Sequence, residues 1–486
     1  MNKRSAASLV LICQLASLIS CGEARDLSVE NETEEVTTES APETDYLDTL
    51  PEKDYEGYQF RVIAQSYDQR PNLPLYEEEN GEVLNDAIIQ RNRKVEEWLN
   101  IEFVNMPYEN RDDVSNLVKN TVMADDDAYD LVITSVNFGI NTLLYSGCLF
   151  DLSRLDYLDL SQEWWCQSIY NDYQINGHLY FTSGPLSPFY FYMPSGVAYN
   201  KTMTDNQGIT GLEQLVLDGG WTFDKLKEYT ANVSYDLNGD GNMTEDDYWA
   251  IAGSAGDAYF LGGFGQRMVK RDENGDFALN MNSIDFLECF DAVAPYVTDK
   301  SVFYDSIDTK VFLSMFQADR AMFMPTSMNN IITGYETVPS CREMVSDYGI
   351  LPLPKYDESQ TEYYSCAQPA GPSGIAVPAT CNDSERTSLI MEVMAYYSDS
   401  IIREAAYESV VKGKSLRFEE SGEVLDIIYN SVYFDMNYVF NFGNTKTLLD
   451  NELKTGGGTF ASKYASQEKA AEAGLEEYYE IVSSLE

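Results

Sequence analysis

The chain has 486 residues, 44% of them apolar, so it can bury a sizeable core and is long enough for two domains. Its formal net charge of −48 disfavours binding to nucleic acid or anionic lipid, because both require clustered Lys and Arg. The single histidine, His178, nearly excludes Ser-His-Asp triads and histidine-rich metal sites, and it lies in a predicted turn.

The N-terminus has the pattern of a cleaved leader. Lys3 and Arg4 precede an apolar stretch from Ala6 to Ile19 that is too short to span a bilayer comfortably. The residues LISC that end at Cys21 resemble a bacterial lipobox, which implies a lipidated Cys21 at the start of the mature protein. The alternative is an ordinary cleavage site with a chance cysteine. We predict a signal peptide over 1–20 and a disordered acidic spacer over 21–57, because this segment has few large apolar residues.

Alternating strand and helix patterns follow. Strands are predicted over 58–64, 101–104 and 129–134, and helices over 85–99 and 112–123. This order predicts an α/β fold with a largely parallel sheet. Ligands bind beyond the carboxyl ends of such strands, so Tyr67 and Asn137 are candidate ligand contacts. The alternative is that both are ordinary polar loop residues.

Residues 236–247 read DLNGDGNMTEDD, which has the spacing of an EF-hand calcium loop with Gly241 at the turn. Position 12 is Asp rather than Glu, which puts bidentate coordination in doubt; the alternative is a metal-free acidic turn. A helical pattern precedes the loop and a strand pattern follows it, so we expect a structural clamp rather than a calcium sensor. The expected Ca²⁺ ligands are Asp236, Asn238, Asp240, Asn242, Thr244 and Asp247.

Later in the chain, strands are predicted over 347–354 and 374–379, and a helix over 386–398. Beyond Cys13 and Cys21, six cysteines remain and none forms a C-x-x-C pair, so zinc ribbons are unsupported. Whether the six form disulfides or stay as thiols is open at the level of sequence.

Several stretches together carry a family resemblance. They are the lipobox, NDAIIQRNRKVEEWLNIEF, YDLVIT, INGHLYFTSGPLS, VAYNKTM, the region around the calcium-like loop, ADRAMFM and DYGILPLPKYD. In this order the chain resembles the family 1 extracellular solute-binding proteins of bacterial ABC importers, the maltose-binding-protein-like group. The resemblance implies a two-lobe periplasmic-binding-protein-like fold of type II, with lobes joined by crossing strands. It also implies a non-enzymatic monomer, tethered outside the cell, that passes a sugar or oligosaccharide to membrane permease subunits.

The resemblance places the first lobe at 58–182 plus 318–396, and the second at 183–317 plus 397–486 with the loop 236–247. Sugar sites need aromatic faces and planar polar groups, and the loops expected at the cleft supply both. A core or surface role is an open alternative for each candidate. Besides Tyr67 and Asn137, the candidates are Trp165, Tyr190, Tyr192, Asp257, Tyr259, Thr326, Ser327, Tyr433 and Tyr438.

Two other functions compete with transport. A glycoside hydrolase needs two carboxylates across a sugar site, and 80 acidic residues provide many pairs. A sugar-binding adhesin or sensor lipoprotein would bind without transport. Cleavage of oligosaccharides identifies the hydrolase, whereas neighbouring permease genes favour transport.

Overall fold

Two β-sheets, one in each predicted lobe, organise the chain. The structure is a computed structural model that describes residues 45–335, 337–367, 372–411 and 419–485. The predicted signal peptide and Cys21 lie outside these residues. The described strands are β1 (Tyr58–Gln65), β2 (Ile101–Tyr108), β3 (Leu131–Ser135), β4 (Ser195–Asn200), β5 (Trp249–Gly253), β6 (Val269–Arg271), β7 (Phe277–Leu279), β8 (Phe303–Asp305), β9 (Ala321–Ser327), β10 (Tyr348–Pro352), β11 (Ser365–Cys366), β12 (Ser373–Ala376) and β13 (Val432–Tyr433).

Helices cover both sheets. No helix within the described ranges is long and apolar enough to cross a bilayer. The described α-helices are α1 (Val83–Leu99), α2 (Arg111–Met123), α3 (Asn141–Tyr145), α4 (Gln167–Asp172), α5 (Lys201–Asn206), α6 (Leu212–Leu217), α7 (Phe223–Thr230), α8 (Tyr259–Gly263), α9 (Ile284–Val297), α10 (Thr309–Gln317), α11 (Met328–Ile332), α12 (Ser384–Val411), α13 (Glu419–Asn430), α14 (Met436–Phe440), α15 (Thr445–Leu453) and α16 (Phe460–Ser484).

The first lobe has a four-stranded sheet in the order β12-β3-β1-β2. β1 pairs in parallel with both β2 and β3, and β12 runs antiparallel to β3. Every residue of β3 is buried, as its continuous apolar pattern predicts. The predicted strand–helix–strand–helix–strand order is therefore confirmed, with ends that shift by a few residues.

The second lobe has a five-stranded sheet in the order β10-β4-β9-β5-β8. Here the predicted lobe boundary needs correction, because 318–396 was assigned as a whole to the first lobe. β9 pairs with β4 and with β5, and β10 pairs with β4, so both strands belong to the second lobe. The chain returns to the first sheet only at β12. A fully buried strand shows the same apolar run in either sheet, so its sequence does not reveal its partners.

The C-terminal segment, predicted to lie in the second lobe, contacts both lobes. Phe460 at the start of α16 stacks on Phe290 of the second lobe, with ring centroids 4.2 Å apart. Near the other end of α16, the Tyr478 hydroxyl donates to the Tyr173 carbonyl of the first lobe at 3.4 Å. A helix of 25 residues is about 37 Å long, enough to span the lobes side by side.

The structure also bears on the cysteines, on His178 and on the predicted spacer. None of the six described cysteines forms a disulfide, and five of the six are buried. His178 lies in a turn, as predicted, where its Nδ1 is 2.6 Å from Asp151 Oδ2. The last residues of the predicted spacer are ordered, since the amides of Tyr55 and Gly57 donate to carbonyls at the end of α1.

Candidate functional site

The carboxyl ends of the parallel strands mark one edge of each sheet. In the first lobe this edge is at Gln65 of β1 and Ser135 of β3, and β12 begins beside Ser135. In the second lobe it is at Gly253 of β5 and Ser327 of β9. Among the described side chains, the hydroxyls of Ser135 and Ser327 are buried without a hydrogen-bond partner. Such groups favour a site where water or ligand completes the bonding.

Residues from both lobes meet at a small cavity, here named the junction pocket. Asn137 and Pro372 contribute from the first lobe, and Asp435 and Tyr438 face them. Its volume is about 10 Å³, room for about one water molecule. The lining residues are Asn137, Ala367, Pro372, Phe434, Asp435, Tyr438 and Val439.

A turn of π-helix presents the first-lobe side of the pocket. It covers Val136–Ile140, directly after β3, and π-turns are frequent at functional sites. Gly139 fits there because a Cβ would lie 2.4 Å from the Thr134 side chain. Phe138, which the sequence analysis missed, is 44% exposed, and the Arg111 guanidinium lies 3.6 Å from its ring centroid. The sequence NFG at 137–139, directly after a buried strand, is the signal that could have identified Phe138.

Tyrosines and carboxylates form the second-lobe side. The Tyr438 hydroxyl donates to the Asp257 carbonyl at 3.3 Å. The Asp435 carboxylate accepts the amides of Met268 at 2.6 Å and Asn437 at 2.8 Å. Burial raises the pKa of Asp257 and of Asp435 to about 6. This wall therefore offers aromatic faces beside carboxyl groups that ionise at a higher pH than exposed carboxyl groups do.

A hydrogen-bonded network covers the first-lobe edge between β1 and β12. The Asn72 amide donates to the Gln65 carbonyl at 2.8 Å and to Ser373 Oγ at 3.2 Å. The Ser187 hydroxyl donates to Asn72 Oδ1 at 2.5 Å. Arg70 donates to Ser373 Oγ at 3.0 Å, and its guanidinium lies 4.3 Å from the Phe189 ring centroid. We name these residues the edge network.

Larger openings lie near the edge network. The interlobe trough, of about 350 Å³, is lined by Tyr192, by Asp68 and Glu82 of the first lobe, and by Thr333 and Arg342 of the second. An open groove of about 710 Å³ on the first lobe shares Asp68, Leu75 and Tyr76 with it. Tyr67 lines this groove, and Tyr76 is 52% exposed. Together they provide space that the junction pocket lacks.

Several predicted ligand residues therefore lie near one another. Asn137 and Tyr438 line the junction pocket, and the Asp257 carbonyl is bonded to Tyr438. Tyr259 and Tyr433 are buried behind them, and the Tyr433 hydroxyl donates to the Gly262 carbonyl at 3.2 Å. Two more of the predicted ligand residues line the larger openings: Tyr192 lines the trough and Tyr67 lines the groove.

The structure corrects other ligand predictions. Trp165 is 1% exposed, and its indole donates to Glu392 of α12 at 3.1 Å. Its neighbour Trp164 donates to the same carboxylate at 3.2 Å, so both indoles are satisfied inside the first lobe. Thr326 is fully buried and accepts the Asn330 amide at 3.0 Å.

Two predicted residues have intermediate outcomes. Ser327 is fully buried in β9, at the strand end where its hydroxyl has no partner among the described groups. Burial, and then the neighbouring Cys166, raise the pKa of Tyr190 well above its ordinary value. Tyr190 is half-buried and lines none of the three cavities described.

The loop 236–247 closes through its own hydrogen bonds. The Asp236 carboxylate accepts the amides of Gly239 at 2.6 Å and Gly241 at 2.7 Å. Asp247, which is fully buried, accepts the amides of Leu237 at 2.9 Å and Thr244 at 2.7 Å. Within the described part of the chain, no three His, Cys, Asp or Glu side chains form a group that could hold a metal ion. Calcium binding therefore stays a prediction from the sequence pattern.

Comparison with known proteins gives matches in structure only. The sequence matches no protein-family model, and no curated protein is significantly similar to it. The galacto-N-biose/lacto-N-biose I-binding protein of an ABC transporter from Bifidobacterium longum, solved with lacto-N-biose, superimposes with a TM-score of 0.53 at 11% identity. That match covers 88% of this chain and 99% of that chain.

Two further structures are similar. An ABC transporter associated binding protein from B. animalis subsp. lactis, in complex with β-1,6-galactobiose, matches with TM-score 0.53 and 16% identity, covering 87% of this chain and 99% of that one. The GacH receptor of Streptomyces glaucescens, solved unliganded and with acarbose, matches with TM-score 0.51 and 12% identity, covering 88% and 99%. The predicted fold is confirmed: the chain has the two-lobe α/β fold of these binding proteins.

Proposed function

We propose that the protein captures a carbohydrate between its two lobes and delivers it to an ABC importer. The observation that carries this proposal is the junction pocket, where Asn137 of one lobe faces Tyr438 and Asp435 of the other. The two-lobe fold is shared over nearly the full length of structures solved in complex with lacto-N-biose and with β-1,6-galactobiose. Tyrosine faces suit the apolar C–H surfaces of a sugar ring, while amides and carboxylates suit its hydroxyls.

The geometry supports capture by lobe closure. A pocket of about 10 Å³ is too small for a sugar ring, so the ligand enters only when the lobes are further apart. Closure then excludes water and brings the two polar walls onto the ligand. The trough and the first-lobe groove are each larger than the junction pocket and share Asp68, Leu75 and Tyr76, so we propose that they take further rings of an oligosaccharide.

The remaining parts of the proposal concern location. A lipid on Cys21 would tether the body outside the cytoplasmic membrane, where permease subunits read the closed state. The acidic spacer would hold the body away from the membrane surface through self-repulsion.

A thermal-shift screen against a panel of defined mono- to hexasaccharides tests the function, since a ligand that binds only the folded state raises the Tm. For a glycan that binds, Tyr438→Ala removes an aromatic face and should weaken binding at least tenfold, or about 1.4 kcal/mol, by calorimetry. Tyr235→Ala is the matched control, because Tyr235 is 48% exposed and lines none of the three cavities described.

Three outcomes argue against the proposal. No shift with any glycan would contradict carbohydrate binding. Equal affinity for the Tyr438→Ala protein would contradict the location of the site. Cleavage of a bound glycan, detected by chromatography of the incubated mixture, would favour a hydrolase instead.

A further inference from the structure

Two arginines of the second lobe bind the first lobe. Arg267 forms an ion pair with Asp172, the last residue of α4. Arg271 donates through Nε to the Asn171 carbonyl at 3.2 Å and through Nη2 to the Gln174 carbonyl at 2.7 Å. The segment that carries α4 belongs to the first lobe, since it runs on to Thr182, which bridges Ile375 of β12. We name Arg267 and Arg271 the arginine clasp.

Arg271 is also held by its own hairpin in the second lobe. Arg271 donates to the Gly275 carbonyl at 2.6 Å, and its guanidinium lies 4.2 Å from the Phe277 ring centroid, within the β6–β7 hairpin. Its first-lobe acceptors are carbonyls at the end of α4, where a helix leaves such groups without internal partners. The contact is therefore directional, not only a matter of opposite charge.

Arg267 also touches the wall of the junction pocket. Its guanidinium lies 4.8 Å from the ring centroid of Tyr433. The next residue, Met268, donates its amide to Asp435, which lines the pocket. Burial disfavours the charged guanidinium, but Asp172 outweighs burial and the pKa of Arg267 is raised. One short segment thus joins the first lobe to the pocket.

We propose that Arg267 is a positioning residue that sets the balance between open and closed lobes through Asp172 and couples that balance to the pocket through Met268 and Asp435. It acts on closure without touching ligand. A ligand that fixes the position of Asp435 would also fix Met268 and, next to it, Arg267. Arg267 would then be held in position to pair with Asp172 of the first lobe. Conversely, loss of the ion pair would favour open lobes and weaken any ligand held between them.

The test begins without ligand, so it does not depend on the proposed function. Small-angle X-ray scattering should give a larger radius of gyration for Asp172→Asn and for Arg267→Met, corresponding to a closed-to-open ratio about tenfold lower. The double variant should resemble either single variant, because both remove one interaction. Arg320→Met is the control, since its ion pair with Asp246 lies within the second lobe.

Two measurements guard against misfolding. Circular dichroism should show a native spectrum for each variant before scattering is interpreted. With the unaltered protein, 1 M NaCl should also raise the radius of gyration, because both members of the ion pair are about a quarter exposed and are screened by salt. An unchanged radius in the folded variants, or no response of the unaltered protein to salt, would overturn the proposal.

A final comparison separates this inference from carbohydrate binding. For any glycan found in the panel, Arg267→Met should weaken binding about tenfold, and Arg267→Lys should restore part of the loss, because it keeps the charge without the planar fork. If no glycan binds, the scattering result still decides the role of Arg267. If glycans bind Arg267→Met as tightly as the unaltered protein, the coupling is wrong and the function stands.

Discussion

The two lobes differ in chemistry at the edges where their parallel strands end. On the first lobe, the edge network consists of Asn72, Ser187 and Ser373 with Arg70, whose pKa burial lowers only to about 10. On the second lobe, Asp257 and Asp435 lie beside tyrosines, with their pKa values raised to about 6. The first edge keeps its charge across neutral pH, whereas the second changes within that range. We conclude that the first lobe supplies a fixed surface and the second lobe a responsive one.

The fixed surface is supported from beneath by Trp165. A Cβ on Gly184 would lie 3.2 Å from the Trp165 ring, so this indole packs directly under the segment that carries Ser183 and Ser187. Trp165→Ala should lower the free energy of unfolding by about 3–5 kcal/mol, the cost of a large cavity, as measured by chemical denaturation. Ile307→Ala, at an 82% exposed position, is the control and should change little. If Trp165→Ala lost glycan binding at unchanged stability, Trp165 would be a ligand contact, as the sequence predicts.

The edge network itself is the next target. Asn72 is fully buried, and its side chain bonds to Gln65, Ser187 and Ser373. Asn72→Ala leaves these buried groups unsatisfied and should cost about 3 kcal/mol of stability. The exposed Asn274→Ala, in the β6–β7 turn, should cost less than about 0.5 kcal/mol. Equal, small losses in both variants would show that the first edge is not a rigid surface.

The sequence predicted the strands of the first sheet well, because their ends coincide with clear changes of apolar pattern. The predicted strand 58–64 is Tyr58–Gln65, and the predicted helix 85–99 is Val83–Leu99. The role of Trp165 could not be predicted, since its partner Glu392 is 227 residues away along the chain. The assignment of β9 to the second lobe could not be predicted either, because strand pairing depends on residues far apart in the sequence. Asn137 and Tyr438, chosen because residues after strands and aromatic loops concentrate at clefts, both line the junction pocket, and their contact with ligand stays a prediction.

The responsive edge is tested by pH. The folded-state pKa of Asp257, about 6, lies above the ordinary value of 3.8, so the folded protein keeps a proton that the unfolded chain releases. The contribution of Asp257 to the free energy of unfolding should therefore fall as pH rises from about 4 to about 6 and then level off. Asp257→Asn removes this loss and should gain up to about 3 kcal/mol over the unaltered protein at pH 7, but almost nothing at pH 4. Denaturation at four pH values, with the exposed Asp291→Asn as control, measures the difference; a gain independent of pH would rule out the raised pKa.

The loop 236–247 extends the comparison to a second responsive element of the same lobe. Its carboxylates are occupied by backbone amides, yet each carboxylate oxygen has further lone pairs for a cation. We propose that Ca²⁺ binds there and adds about 1 kcal/mol at a calcium concentration of about four times its Kd. The Tm should fall slightly with EGTA and recover with calcium, and Asp236→Ala should abolish the response. Since Asp246 pairs with Arg320 beside β9, any effect should stay within the second lobe and leave the scattering profile unchanged. A Tm that is indifferent to EGTA would leave the loop as a metal-free turn and Asp257 and Asp435 as the responsive groups of that lobe.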